Sequence, residues 1–290
     1  MGTGSIRDEH DALSTDRAGL RATAAQTGHV LASNVQAGDM KARDALAGDA
    51  HTDDPLSRLS IVLPVGPGDT AWPPLFDALQ AQAPAAELLP VFAEGDPQPA
   101  PNGALRAPAG RARQQNAGAA AATRPWLWCV HADSRLSAET LPALRHFLAA
   151  QDDDVGMQSS GALARGTLAW GTLAWFRLSF EADAAGLSRR MRLNAGGANW
   201  RSRVLGLPFG DQGLLLRARD FAALGGFDTT MPYGEDLALV WRARRAGLRL
   251  QGLDAALLTS ARRYRQRGWL RTTLRHLWLT ALLVWRELRR

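Results

Sequence analysis

The sequence predicts an α/β fold with a mainly parallel central sheet flanked by helices. Three observations carry this. An apolar run, Leu59–Val65, stops at the loop Gly66-Pro67-Gly68-Asp69. A second run, Trp126–Val130, stops at His131-Ala132-Asp133. Segments with helical spacing lie between and after these runs. Strands alternating with helices give a parallel sheet, and ligands of such sheets sit beyond the carboxyl ends of the strands. The loops after Val65, Phe92 and Val130 are therefore expected to share one rim.

Residues 1–56 are rich in Ala, Gly, Asp, Thr and Ser and are expected to form a disordered or loosely structured extension. The domain is expected over residues 57–267, with an amphipathic helix over 268–290. Within the domain, Ser60-Ile61-Val62-Leu63-Pro64-Val65 reads as a buried strand, residues 72–82 as a helix and Glu87–Phe92 as a second strand. A proline-rich loop then leads into a helix over Gly110–Ala120, and Trp126–Val130 is a third strand. Ser134–Glu139 reads as a helix start with Ser137 as its N-cap, which leaves Asp133 without a local structural duty. Residues 160–205 are irregular and rich in Trp and Arg. A strand at Gly213–Arg217 and helices at 218–224 and 235–246 follow.

The chain has 290 residues and a net charge of +6. Residues 1–54 carry five basic and nine acidic side chains, so the remainder, with 29 and 19, is strongly cationic. Lys41 is the sole lysine, and guanidinium forks suit phosphate, nucleic acid or an anionic membrane surface. A nucleic-acid module with interleaved exposed aromatics is not evident, so no nucleic-acid partner is expected. Cys129 is the one cysteine, which excludes an intrachain disulfide and a Cys-rich zinc site. The first 28 residues lack the apolar core of a leader, and Leu277–Trp285 is too short to span a bilayer. The expected location is cytoplasmic, either free or peripheral at the inner face of the membrane.

His131-Ala132-Asp133 puts two potential metal ligands at a strand end, and Mg²⁺ or Mn²⁺ binds through one or two carboxylates plus phosphate oxygens. Glu235-Asp236 opens a helix after the Gly225-Gly226-Phe227-Asp228 turn. First-turn acids complement the helix dipole, or here present a base at a cleft. Gly110-Arg111-Ala112-Arg113 opens a helix as an anion site but is no P-loop. The terminal segment aligns Leu270, Leu274, Leu277, Trp278, Ala281, Trp285 and Leu288 on one face. That face is expected to pack back onto the domain, with interfacial membrane contact or a partner helix as the alternatives.

In order and spacing, these motifs resemble the family 2 glycosyltransferases of GT-A fold over residues 58–267, and within them a bacterial subgroup with a His-Ala-Asp metal motif. The resemblance implies a nucleotide-diphosphate sugar donor, an acceptor it does not name, and Mg²⁺ or Mn²⁺. It assigns Asp133, with His131, to the metal. Asp236, beside Glu235, becomes the general base of an inverting transfer. Pro64, Glu94, Asp96, Arg111, Arg113 and Asn116 fall on the donor side, Arg262 and Arg263 on the diphosphate, and Asp211 and Gln212 on the sugar or acceptor pocket. Two segments depart from the family pattern: Gly66–Asp69 replaces its usual Asn-Glu, and the second strand runs into Ala93-Glu94-Gly95-Asp96 rather than ending on an Asp. The other functions open to this pattern are nucleotidyl transfer and a catalytically silent protein that binds nucleotide sugars.

Overall fold

Strand β1 (Leu59–Val65) has all seven residues buried. It is the centre of the computed structural model, which describes residues 54–162, 171–181, 189–231, 233–260 and seven positions between 270 and 285. Alternate side chains of a strand point to opposite faces. Leu59, Ile61, Leu63 and Val65 join Leu75, Leu79, Leu144 and Phe147 in one apolar cluster. Val62 joins Val91, Leu127, Leu239 and Val240 in the other.

The remaining elements are α1 (Pro73–Gln82), β2 (Glu87–Ala93), β3 (Leu105–Ala107), α2 (Arg111–Ala121), β4 (Trp126–Cys129), β5 (Ser134–Leu136) and α3 (Thr140–Ala162). They continue as β6 (Thr172–Phe180), α4 (Arg189–Leu205), β7 (Leu214–Arg217), α5 (Ala218–Ala223), α6 (Glu235–Arg245) and β8 (Arg249–Thr259). The strands form one sheet in the order β3-β2-β1-β4-β7-β6-β8-β5. Six of the eight strands share one direction; β7 and β5 are reversed. A mainly parallel sheet flanked by helices is thus the architecture. The carboxyl ends of β1, β2 and β4 do share one rim. Cys129 pairs with Leu214, which brings the start of β7 to it, and Ser134 pairs with Thr259, which brings the end of β8.

Helix α2 is seated on that rim by Gln114, whose buried amide donates to the carbonyls of Val65 at 2.6 Å and Val91 at 2.8 Å. Further along α2, Gly118 lies against the sheet. A Cβ there would overlap Val62 Cγ1 and stand 3.1 Å from Val91 Cγ2.

Several expectations are corrected. The compact unit begins at Asp54, not residue 57: Asp54 accepts the Leu56 N–H at 3.0 Å and pairs with Arg145, and Leu56 is fully buried. Residues 1–53 lie outside the described residues. Ser134–Leu136 is a strand rather than a helix start, because Ser134 finds a partner 125 residues away in Thr259. The helix starts at Thr140, so Ser137 precedes it, and its backbone N–H donates to Thr140 Oγ1 at 2.8 Å. The stretch read as irregular contains β6 and α4. Leu270, Leu274, Trp278 and Trp285 are helical as expected, but they are exposed rather than packed on the domain. Leu277, Ala281 and Leu288 lie outside the described residues. Among the described residues, no helix is long and apolar enough to cross a membrane.

The seat of α2 gives a first prediction. Gly118→Ala gains about 1 kcal/mol of helix propensity but overpacks stiff valines, which costs about 1–3 kcal/mol. Thermal melts should show a lower Tm for Gly118→Ala. The Gly118→Ala/Val62→Ala double variant should be more stable than the sum of the two single effects by at least about 0.5 kcal/mol. Simple additivity would show that the two positions do not touch.

Candidate active site

Arg111, the first residue of α2, reaches across the rim to the first residue of α6. Its Nε donates to Glu235 Oε1 at 2.5 Å, and its Nη1 lies 3.3 Å from His131 Nε2, just past β4. Burial disfavours the guanidinium charge, but the fields of Asp236, Glu235 and Asp211 outweigh it and hold Arg111 above its ordinary pKa. One cation therefore lies between the acids of two separate segments, with His131 of a third beside it.

Asp236 is equally fixed. Its Oδ2 accepts the Gly210 N–H at 2.7 Å, and its Oδ1 accepts the Leu237 N–H at 2.8 Å. Position 210 must be glycine for this approach: a Cβ would stand 2.8 Å from His131 Nε2 and 3.1 Å from Asp236 Oδ2. The sequence shows the Gly-Asp-Gln-Gly pattern around it, but nothing local tells which glycine meets another segment. Next to it, Asp211 has a buried Oδ1 with no hydrogen-bond partner. Burial raises its pKa to about 6; Arg201 and Arg111 oppose the rise, and Asp236 and Asp133 add to it.

Other residues expected at the site are turned to internal duties. Asn116 accepts the Phe227 N–H at 2.9 Å and donates to the Phe227 carbonyl at 2.8 Å, clamping the Gly-Gly-Phe turn to α2. Gln212 is fully buried and donates to Phe176 O and Ser202 Oγ, both at 3.0 Å. Pro64 is buried within β1 opposite Val91. Asp96 accepts the side-chain amide of Gln98 at 2.7 Å and the Gly68 N–H at 3.2 Å, tying together the loops after β1 and β2. The Gln98 bond leads in holding its carboxyl below the ordinary range. Glu94 and Arg113 are exposed at the rim. Arg262 and Arg263 lie outside the described residues, just beyond the end of β8. Arg201 was not anticipated: it stacks 3.7 Å from the Phe209 ring centre, beside the Gly210–Gln212 turn. Burial alone pushes the Cys129 thiol up to about 12, so it is an inert part of the core.

Among the described residues no group of three or more His, Cys, Asp and Glu could hold a metal ion unaided. The donors fit a divalent cation that takes most of its oxygens from phosphate and water. Asp133 is half-buried in the turn after β4, and its field reaches the unpartnered Asp211. His131 fits less well as a ligand, since its Nε2 already faces the Arg111 cation.

No family model matches the chain, and no curated protein matches it. Among solved structures, it is similar to S. aureus TarS 1–349 in complex with UDP-GlcNAc, with a TM-score of 0.44 and 13% identity over 70% of this chain and 58% of that one. It is also similar to the mannosyltransferase PcManGT from Pyrobaculum calidifontis in complex with GDP-Man and Mn²⁺, with a TM-score of 0.43 and 14% identity over 69% and 56%. The chain thus spans a little over half the length of these structures.

The raised pKa of Asp211 makes stability depend on pH. A carboxyl whose folded pKa is about 6, against 3.8 unfolded, costs nothing below the lower value. It costs up to about 3 kcal/mol once pH exceeds the higher one. Asp211→Asn removes this cost. In chelator-treated protein, urea titrations should show a stability gap in favour of the variant that widens by about 1 kcal/mol from pH 5 to pH 7.5. A pH-independent gap would show that Asp211 titrates normally.

Proposed function

We propose that the chain is an inverting glycosyltransferase, moving a sugar from a nucleoside-diphosphate donor to an acceptor nucleophile. One observation carries this reading. The two acidic signatures, over a hundred residues apart in sequence, meet at Gly210: its N–H donates to Asp236 at 2.7 Å, and a Cβ there would stand 2.8 Å from Nε2 of His131, two residues before Asp133. A metal-binding acid and a separately positioned acid on the same rim suit a reaction with a diphosphate leaving group and a nucleophile to be deprotonated.

Asp236 is the general base in this reading. Two backbone N–H groups hold its carboxylate, one on each oxygen, so each oxygen keeps a lone pair for the acceptor's proton. As that proton moves to Asp236, the acceptor atom bonds to the anomeric carbon from the face opposite the leaving group. The bond from that carbon to the diphosphate oxygen breaks, and configuration inverts. Glu235 serves Asp236 indirectly: its bond to Arg111 fixes the start of α6. Asp211, next to the Gly210 whose N–H meets Asp236, falls on the sugar or acceptor side in this reading. Arg113, in the exposed first turn of α2, faces the diphosphate together with that helix's N-terminus. Mg²⁺ or Mn²⁺, held by Asp133 and phosphate oxygens, would neutralise the charge gathering on the diphosphate. Because Asp96 is used by the loop backbone, exposed Glu94 is the acid left on the nucleoside side.

The test is a panel of nucleotide sugars with Mn²⁺ or Mg²⁺, scored for binding and for nucleoside diphosphate release. Asp133→Ala should weaken donor binding by at least about tenfold. Asp236→Asn should bind donor as the wild type does and lose about 10²–10⁴ in kcat. Release of pyrophosphate would indicate nucleotidyl transfer, and binding without turnover a silent protein. If no donor binds and neither variant differs from the wild type, the reading is wrong.

A further inference from the structure

Two helices turn large apolar side chains outward. On α4, Leu193, Trp200 and Val204 are 64%, 59% and 61% exposed. Separations of seven and four residues put them on one side of a helix with about 3.6 residues per turn. The opposite side already has its core contact: Met191 and Ala195 are buried with Leu178 and Phe180 of β6. Asn199 locks that seating, accepting the Leu178 N–H at 2.7 Å and donating to the Leu178 carbonyl at 2.9 Å. The outward stripe is therefore additional to the face that α4 uses in folding.

The terminal helix lies next to α4, because Asn194 Nδ2 donates to Thr273 Oγ1 at 3.1 Å. At its described positions Leu270, Leu274 and Trp278 are 60%, 56% and 64% exposed. Spacing of four keeps them on one side. Both stretches of sequence are also strongly basic. Residues 189–205 carry five arginines and no acid, and residues 270–290 carry five arginines and one glutamate. Their joint charge of +9 exceeds the +6 of the whole chain. On α4, Arg192 and Arg203 fall along one flank of the stripe and Arg190 and Arg201 along the other. Of these, Arg203 pairs with exposed Asp254 and Arg201 stacks on Phe209.

We propose that α4 and the terminal helix together form a docking surface for an anionic phospholipid bilayer. Leu and Trp flanked by arginine match the layering of a membrane interface, where rings and apolar chains enter the acyl boundary and guanidinium groups meet phosphates. Each cation near an anionic surface contributes about 1 kcal/mol. The charge disfavours a second copy of the chain, since pairing would set two surfaces of the same sign against each other. The surface is joined to the candidate site, because Ser202 on the inner side of α4 accepts Gln212 Nε2 at 3.0 Å beside Asp211.

The experiment is flotation of the full chain with vesicles of phosphatidylcholine alone, or with about a third phosphatidylglycerol. Recovery should be high with the anionic vesicles at low salt. It should fall at least about fivefold with the neutral ones or in 0.5 M salt. Trp200→Ser/Val204→Ser and Leu274→Ser/Trp278→Ser should each lower partitioning at least about tenfold. Their Tm and nucleotide-sugar binding should stay at wild-type values, since these side chains make no core contact. That second readout keeps a failure here distinct from a failure of the glycosyltransfer reading. Three results would overturn the proposal: no flotation with either vesicle, flotation unaffected by the α4 pair, or a dimer in sedimentation that these substitutions dissolve while vesicles are ignored.

Discussion

The Arg111–Glu235 ion pair is the constraint on which the rim depends. Glu235 and Asp236 are 3% and 8% exposed, and Asp211 lies within reach of the Asp236 charge. Without a cation among them, ionised acids so close in a buried place would repel and drive protons onto one another. Glu235 is buried but the Arg111 side chain is 37% exposed, so the pair contributes little net stability and matters for charge balance and geometry. Arginine suits the place because its fork serves two directions at once, Nε toward Glu235 and Nη1 toward His131. Lysine would offer a point charge to one of them. The pair also sets geometry. It joins the first turns of α2 and α6, each of which is anchored elsewhere: α2 by Gln114 on β1 and β2, and α6 by Arg242, which donates to Leu224 O and Gly226 O at 2.5 Å.

Strands β1, β2 and β4 were legible in the sequence because their signals are local, whereas β3 lies in what reads as a proline-rich loop. β1, β2, β4 and α2 each carry an apolar run or a helical stretch bounded by Gly, Pro or Asp, and their observed bounds lie within a residue of those read. β5 was not legible, since the three residues Ser134-Arg135-Leu136 become a strand only by pairing with Leu257–Thr259. The reversal of β7 has the same origin: Leu214–Leu216 announces a strand, but its direction follows from which neighbour it meets. α4 failed for another reason. Its core face uses the small side chains Ala195 and Ala198 beside Met191, while its large apolar residues point out. Two weak apolar sets on opposite sides cancel the periodicity that reveals an ordinary surface helix.

In the candidate site, acids were easier to place than amides. Asp133 and Glu235-Asp236 sit at element ends that sequence can locate, and the rim brings them into one field. Asn116 and Gln212 look, in sequence, like ligand-facing groups of the same motifs. The half-buried amide of Asn116 instead satisfies the Phe227 backbone, and the buried one of Gln212 the Phe176 carbonyl and the Ser202 hydroxyl. Each such joint still bears on the site. Asn116 holds the turn before α6, and Gln212 holds the turn whose Gly210 N–H reaches Asp236.

The excess of arginine resolves in the same way, residue by residue. A basic chain with one lysine invites a single explanation through phosphate, yet the described arginines divide into distinct tasks. Arg111 neutralises buried acids, Arg242 completes the carbonyls of a turn, and Arg106 does the same for Ala93 and Asp96 at 3.0 and 2.8 Å. Arg201 and Arg217 lie over the rings of Phe209 and Trp126. All of these use the planar fork or the flat face of the guanidinium, which lysine lacks. In sequence, the positive charge is concentrated in residues 189–205 and 270–290, which hold one acid between them. The rim's own chemistry is set by Arg111, half-buried among its carboxylates.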